Sequence, residues 1–256
     1  YGVNLVGIPM EDDGMDLDAL KKALEEQKNV RFLYTIPSFH NPLGTCTSLE
    51  KRKAIYDLCV KHGVMILEDN PYGELRFDGE DIPTLKSMDT EGIVIYTSSF
   101  SKVMSAGIRL GFVVAPKPVL DKMAVGKQAV DTHSNLFFQI LIADYMEKYD
   151  YDGHIRMICD LYRHKSGLML DEIRKGFPEE VKYTVPQGGL FLWCTLPEGA
   201  DMMDFCNRAV AEKVAVVPGV AFLADQQAPC RSVRLNFSTP TDEDIVTGCQ
   251  RLGRLT

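Results

Sequence analysis

The chain has 256 residues, 45% apolar and 25% charged, with a net charge of −8, the balance of a globular protein long enough to bury one or two cores. The negative charge argues against a general binder of nucleic acid or of an anionic membrane, although a local basic pocket can still take a small anion. No apolar run is long enough to span a bilayer, and no signal-peptide pattern opens the sequence.

Taken in order, Asp16 is suited to cap a helix with Leu17, Leu20 and Leu24 on one face. Val30–Ile36 reads as a buried strand that Pro37 ends, and residues 38–44 read as a loop. Ser48 opens a second helix, with Ala54, Ile55, Leu58 and Cys59 inward and Gly63 as its stop. Val64–Leu67 is a short apolar strand running into Glu68-Asp69-Asn70-Pro71-Tyr72. Ile93–Tyr96 is another, followed by Thr97-Ser98-Ser99-Phe100-Ser101-Lys102, and Gly111–Ala115 is a further candidate. Helical stretches follow at roughly 118–128, 134–148 and 153–175. Val181–Val185 and Leu190–Thr195 predict paired strands joined by Pro186-Gln187-Gly188-Gly189. A helix near 201–212, strands at Val214–Val217 and Ser232–Phe237, and a helix over 242–252 close the chain.

Strands alternating with amphipathic helices predict an α/β fold with a mainly parallel sheet. The change of pattern near residue 150 predicts a large unit over 1–150 and a smaller α+β unit over 151–256. In parallel sheets, ligands bind at the carboxyl ends of strands. Three polar clusters fall there: Asn41, then Asp69 and Tyr72, then Ser99 to Lys102. This predicts one composite site.

Within it, a lysine at the end of a strand is oddly placed for a surface charge. Lysines at such sites serve as amine nucleophiles or Schiff-base partners. Ser99, Ser101 and Arg109 supply donors suited to a phosphate. Together they suggest a lysine that holds a phosphorylated carbonyl cofactor, although a Ser/Thr-rich stretch with one lysine also fits a solvated loop. The five histidines form no metal-binding set, and Gly126-Lys127 lacks the glycine-rich lead of a P-loop. The seven cysteines, at 46, 59, 159, 194, 206, 230 and 249, are scattered without C-x-x-C or zinc spacing. They predict a reducing, cytoplasmic compartment without structural disulfides. The first residue is Tyr1, which predicts that these residues continue a longer chain.

Asn41-Pro42-Leu43-Gly44, Asp69-Asn70-Pro71-Tyr72, Ser99-Phe100-Ser101-Lys102 with Arg109-Leu110-Gly111, Gly188-Gly189-Leu190-Phe191, Pro218-Gly219 and Val233-Arg234-Leu235 occur in that order. The set resembles the class I/II aminotransferases of fold type I over essentially the whole chain. The wording Glu68 to Glu74 most resembles the aminoadipate, kynurenine and aromatic branch. The resemblance implies a pyridoxal phosphate-dependent aminotransferase (a transaminase) that moves an amino group between an α-amino acid and a 2-oxo acid in a ping-pong cycle. It implies Lys102 as the Schiff-base lysine and Asp69 as partner of the protonated pyridine nitrogen. It implies Tyr72 and Asn41 as donors to the ring's phenolic oxygen, and Ser99, Ser101 and Arg109 as the phosphate contacts. Arg234, with Asn41 beside the substrate, is implied to take the α-carboxylate. A homodimer is a further family expectation, and the family's large domain begins well before Tyr1. The alternatives are another reaction on the same cofactor, such as a β-lyase or decarboxylase, and the aminotransferase-like ligand-sensing domain of a transcription regulator.

Overall fold

The computed structural model describes residues 2–256. Chain order is β1 (Met10–Glu11), β2 (Gly14–Met15), α1 (Leu17–Glu26), β3 (Phe32–Thr35), α2 (Leu49–His62), β4 (Met65–Asp69), β5 (Val94–Ser99) and β6 (Gly111–Val114). There follow α3 (Lys117–Val130), α4 (Leu136–Lys148), α5 (Tyr151–Gly176), β7 (Lys182–Tyr183), β8 (Phe191–Thr195), α6 (Met202–Ala211), β9 (Val217–Pro218), β10 (Ser232–Asn236) and α7 (Asp242–Gly253). The helix ends follow the predicted chemistry. The Asp16 carboxylate accepts the backbone N–H groups of Asp18 and Ala19. Ser48 caps α2, and Gly63 ends it in the left-handed conformation that glycine adopts without strain.

Two four-stranded sheets carry the fold. The first has the order β3-β4-β5-β6, with β3, β4 and β5 parallel and β6 antiparallel to β5. The second, β7-β8-β10-β9, is antiparallel throughout. The α/β class is therefore as predicted, but strand boundaries move. β3 is shorter than the apolar run 30–36, because Ile36 and Pro37 have already turned into the loop. β4 and β5 are longer, so Asp69 and Ser99 are the last residues of strands rather than loop residues.

Apolar burial is divided into three clusters. Met15, Leu20, Ile55, Cys59, Ile66 and Val94 pack α1 and α2 against one face of the first sheet. Leu192, Val233, Ile173, Phe205 and Ile245 pack the second sheet against α5, α6 and α7. A third cluster of Phe39, Tyr72, Leu75, Val103, Leu190 and Phe191 joins the two sheets. The segment after Tyr72 crosses over physically. Phe77 and Asp78 donate their backbone N–H groups to Gln187 O, Gly189 donates to Leu75 O, and Phe77 lies in the second core.

One residue of α2 contradicts its apparent polarity. Arg52 is completely buried. Its guanidinium donates to the carbonyls of Thr47 (3.0 Å), Pro37 (2.9 Å) and Pro83 (3.1 Å) and to Ser38 Oγ (3.0 Å). Glu68, also fully buried, accepts the backbone N–H groups of Leu85 and Lys86. Burial pushes the Glu68 carboxyl up, and those two N–H groups and the Arg52 charge oppose it. Replacing Arg52 by Met takes the donor from Thr47 O, Ile82 O, Pro83 O and Ser38 Oγ, while Pro37 O keeps the Thr47 N–H, and leaves Lys86 as the remaining cation near Glu68. It is expected to lower the unfolding free energy by about 3 kcal/mol or more in urea titration.

Candidate active site

The parallel strands β3, β4 and β5 end at one edge of the first sheet, and the polar residues gather along it. β4 alternates, so Ile66 and Glu68 face the helices while Leu67 and Asp69 face away. Register pairs Asp69 with Thr97 and Ser99 with Gly111. Asp69, Thr97 and Ser99 therefore share a face. Thr97 Oγ1 donates to Asp69 Oδ1 at 3.2 Å, and the hydroxyl of Tyr34, on β3, donates to Asp69 Oδ2 at 2.8 Å.

Beyond β5 the chain turns back through Ser101 and Lys102. Ser99 Oγ donates to Ser101 Oγ at 2.8 Å and accepts the Ser101 N–H at 3.1 Å. Arg109 Nη1 donates to Ser101 Oγ at 3.2 Å and to Ala106 O at 3.2 Å. Arg109 has φ 57°, ψ 40°, a left-handed backbone that bulky residues rarely adopt. Two hydroxyls and a guanidinium thus lie in one hydrogen-bonded cluster, a donor set that suits a phosphate. The amine of Lys102, half-buried in the same turn, has no hydrogen-bond or ion-pair partner among the described residues.

The other half contributes Arg234 from β10. Its Nη1 donates to Asn41 Oδ1 at 2.7 Å, although the two are far apart in sequence. The guanidinium carbon lies 4.2 Å from the Phe191 ring centroid and 5.1 Å from that of Phe222, two cation–π contacts. Arg234 Nε is buried without a hydrogen-bond partner among the described residues. Tyr72 is buried and packs edge-on to Phe191 with centroids 5.6 Å apart. Burial pushes the Tyr72 hydroxyl up. Arg234 pulls it down and Asp69 adds to the rise.

The structure thus assembles Asn41, Tyr72 and Arg234 around Phe191, links Ser99, Ser101 and Arg109 directly, and sets Asp69 one strand away from Ser99. It draws Lys102 into none of these hydrogen-bonded groups. The predicted donor set matches pyridoxal phosphate in kind: an anion for a ring cation, three donors for a phosphate, a free amine for a carbonyl. Among the described residues there is no group of three His, Cys, Asp or Glu side chains able to hold a metal ion. Sequence reading named Thr97 and Phe191 within motifs without a role at the site, and did not mark Tyr34 or Phe222. No local pattern marks Tyr34, because its meeting with Asp69 depends on the register of β3 against β4.

The family model for class I and II aminotransferases matches residues 1–252. The chain belongs to this family. Among its relatives, the aromatic-amino-acid aminotransferase 1 of Thermococcus litoralis is 40% identical over 256 residues, covering 98% of this chain and 61% of that protein. The 2-aminoadipate transaminase of Thermus thermophilus is 37% identical, covering 99% and 64%. The crystal structure of a multiple-substrate aminotransferase from Thermococcus profundus superposes with a TM-score of 0.94 at 38% identity, covering 98% of this chain and 63% of that one. The chain therefore spans somewhat less than two thirds of the length of these aminotransferases.

His40 immediately precedes Asn41, and its Nδ1 is buried without a partner. Burial pulls its imidazole down from the usual 6.5 to about 4. The unfolded chain then binds more protons than the folded one between these values, so stability falls as pH falls from about 6.5 to 4. The loss is expected to reach about 3 kcal/mol. His40→Gln is expected to flatten that part of a pH series of urea titrations.

Proposed function

We propose that the protein is a pyridoxal phosphate-dependent aminotransferase exchanging an amino group between an α-amino acid and a 2-oxo acid. The observation that carries this is the Ser99–Ser101–Arg109 donor cluster at the end of β5, next to the strand end that carries the Asp69 carboxylate. The names of its relatives, which act on aromatic amino acids and 2-aminoadipate, support it further. Neither of these two names favours a β-lyase, a decarboxylase or a regulator.

When bound, pyridoxal phosphate supplies an electron sink for the charge left at the amino acid's Cα on deprotonation. Arg109 and the two serines anchor the phosphate, the arginine by its planar fork. Asp69 holds a proton at the ring nitrogen. Tyr72 remains a hydroxyl because burial disfavours its ionisation, so it can donate to the ring's phenolic oxygen. Asn41 accepts from Arg234 through Oδ1 and keeps its amide N–H groups for the same ring oxygen or the substrate. Lys102 Nζ would provide the covalent attachment for the cofactor and, as a free amine, would serve as the base for the substrate Cα proton. Arg234 is the residue proposed to take the substrate α-carboxylate.

The reading includes a division into a cofactor-binding unit, 1–150, and a smaller unit, 151–256, supported by the two sheets and their separate cores. It includes a homodimer, on the strength of the family resemblance. It also includes a cytoplasmic location, in keeping with seven free thiols. No helix among the described residues is long and apolar enough to cross a membrane.

Borohydride reduction of the full-length protein with pyridoxal phosphate, followed by peptide mass mapping, is expected to place the cofactor on the Lys102 peptide. Lys102→Ala is expected to abolish that adduct while leaving the melting temperature of the cofactor-free protein near wild type. An adduct elsewhere, or none on wild type, would overturn the assignment. Arg234→Gln is expected to raise the KM for amino acids about ten- to a hundredfold, read by conversion of the cofactor to its amine form.

A further inference from the structure

We propose that Tyr34 is a positioning residue that acts through Asp69, holding the carboxylate in the orientation from which it meets the cofactor ring. The inference rests on the reading of Asp69 given above and adds a residue to it.

Tyr34 is the third residue of β3, and register pairs it with Leu67, two residues before Asp69 on the same face of β4. Its ring lies along the open face of the sheet, 50% exposed. Among the described residues this side chain is part of no apolar core. What it does make is one directed contact, O–H to Asp69 Oδ2 at 2.8 Å, across the β3–β4 pair. Thr97 makes the matching contact from β5, to Oδ1 at 3.2 Å.

Each carboxylate oxygen thus has one donor, from the strands on either side of β4. Rotation about the Cβ–Cγ bond of Asp69 would break at least one of these bonds. Each oxygen also retains a further lone pair, so the clamp fixes the carboxylate without saturating it. The two donors are not equivalent. Thr97 has one proton and a second acceptor within reach, Glu68 O at 3.4 Å, whereas Asp69 is the acceptor Tyr34 uses. Tyr34 is the firmer hold. Its half-buried position, together with the Asp69 hydrogen bond and charge, also holds its ionisation above the usual phenol range, so it is a donor near neutral pH.

The test is a double-mutant cycle on the full-length protein, with pyridoxal 5′-phosphate as the probe and its dissociation constant read by absorbance titration. Tyr34→Phe keeps the ring and removes the hydroxyl. It is expected to weaken cofactor binding about tenfold in the wild-type background and to have no further effect in an Asp69→Asn background. It is also expected to shift the nitrogen resonance of ring-¹⁵N-labelled cofactor, which a merely structural role would leave in place. The melting temperature of the cofactor-free protein should change little.

Equal losses in both backgrounds, or no loss in either, would overturn the role of Tyr34 while leaving the Asp69 assignment standing. If Asp69→Asn itself binds the cofactor as wild type does, the Asp69 reading fails, and this inference fails with it.

Discussion

A guanidinium with no access to water has to find its partners in the protein, and Arg52 finds them in the backbone of two loops. It ties Pro37, Ser38 and Thr47 on one side to Ile82 and Pro83 on the other. Residues 38–47 form the loop that carries His40 and Asn41, so its two ends are held together beneath the site. Glu68, equally buried, takes the N–H groups of Leu85 and Lys86 and stands one residue before Asp69. Desolvating two such groups is costly, and their hydrogen bonds offset the cost only in this geometry. The loop that presents Asn41 and the strand end that presents Asp69 are consequently set by the same buried polar network.

Above that network the loop meets the other half of the chain. Phe39 is almost wholly buried and has φ 53°. Its ring fills the space left by two missing side chains, since a Cβ on Gly188 would lie 2.3 Å from it and one on Gly189 would lie 2.6 Å from its own Cβ. Gly189 also has φ 71°, a conformation that glycine supplies without strain. Here the two sheets are locked together, and the Asn41–Arg234 hydrogen bond follows from that lock. The joint matters to the proposed reaction because Arg234 and the Asp69–Ser99 strand ends come from different sheets.

The same physical rule governs the titratable groups near the site. Tyr34 and Tyr72 are kept as neutral hydroxyls by burial, with the Asp69 charge adding to it, and His40 is kept as a neutral imidazole by burial alone. The fixed charges are those with partners: Asp69 between two donors, Arg109 on Ser101, Arg234 on Asn41 and two aromatic rings. Such an arrangement lets acid–base work fall to Lys102, the one proposed catalytic amine without an internal partner among the described residues.

The α/β class, the helix caps at Asp16 and Ser48, the stop at Gly63 and the ordered motifs from Asn41 to Arg234 could all be read from the residues alone. Each is local: a short polar side chain at a helix start, a glycine at φ > 0, or a motif whose spacing is part of the chain. The burial of Arg52 could not be read so, because an arginine on an amphipathic helix is normally a solvent-facing residue. It is buried here only because two distant loops bring their carbonyls to it. Tyr34 and Thr97 were hidden for a related reason, since their meeting with Asp69 depends on how β3 and β5 register against β4. Arg234 was legible as a motif, yet its place beside Asn41, Phe191 and Phe222 is a property of the packing of one sheet against the other. Sequence by itself determined which chemical groups the chain carries and the order in which they come. Tertiary structure alone decided which of them meet, because register and inter-sheet packing are relations between segments that no local pattern encodes.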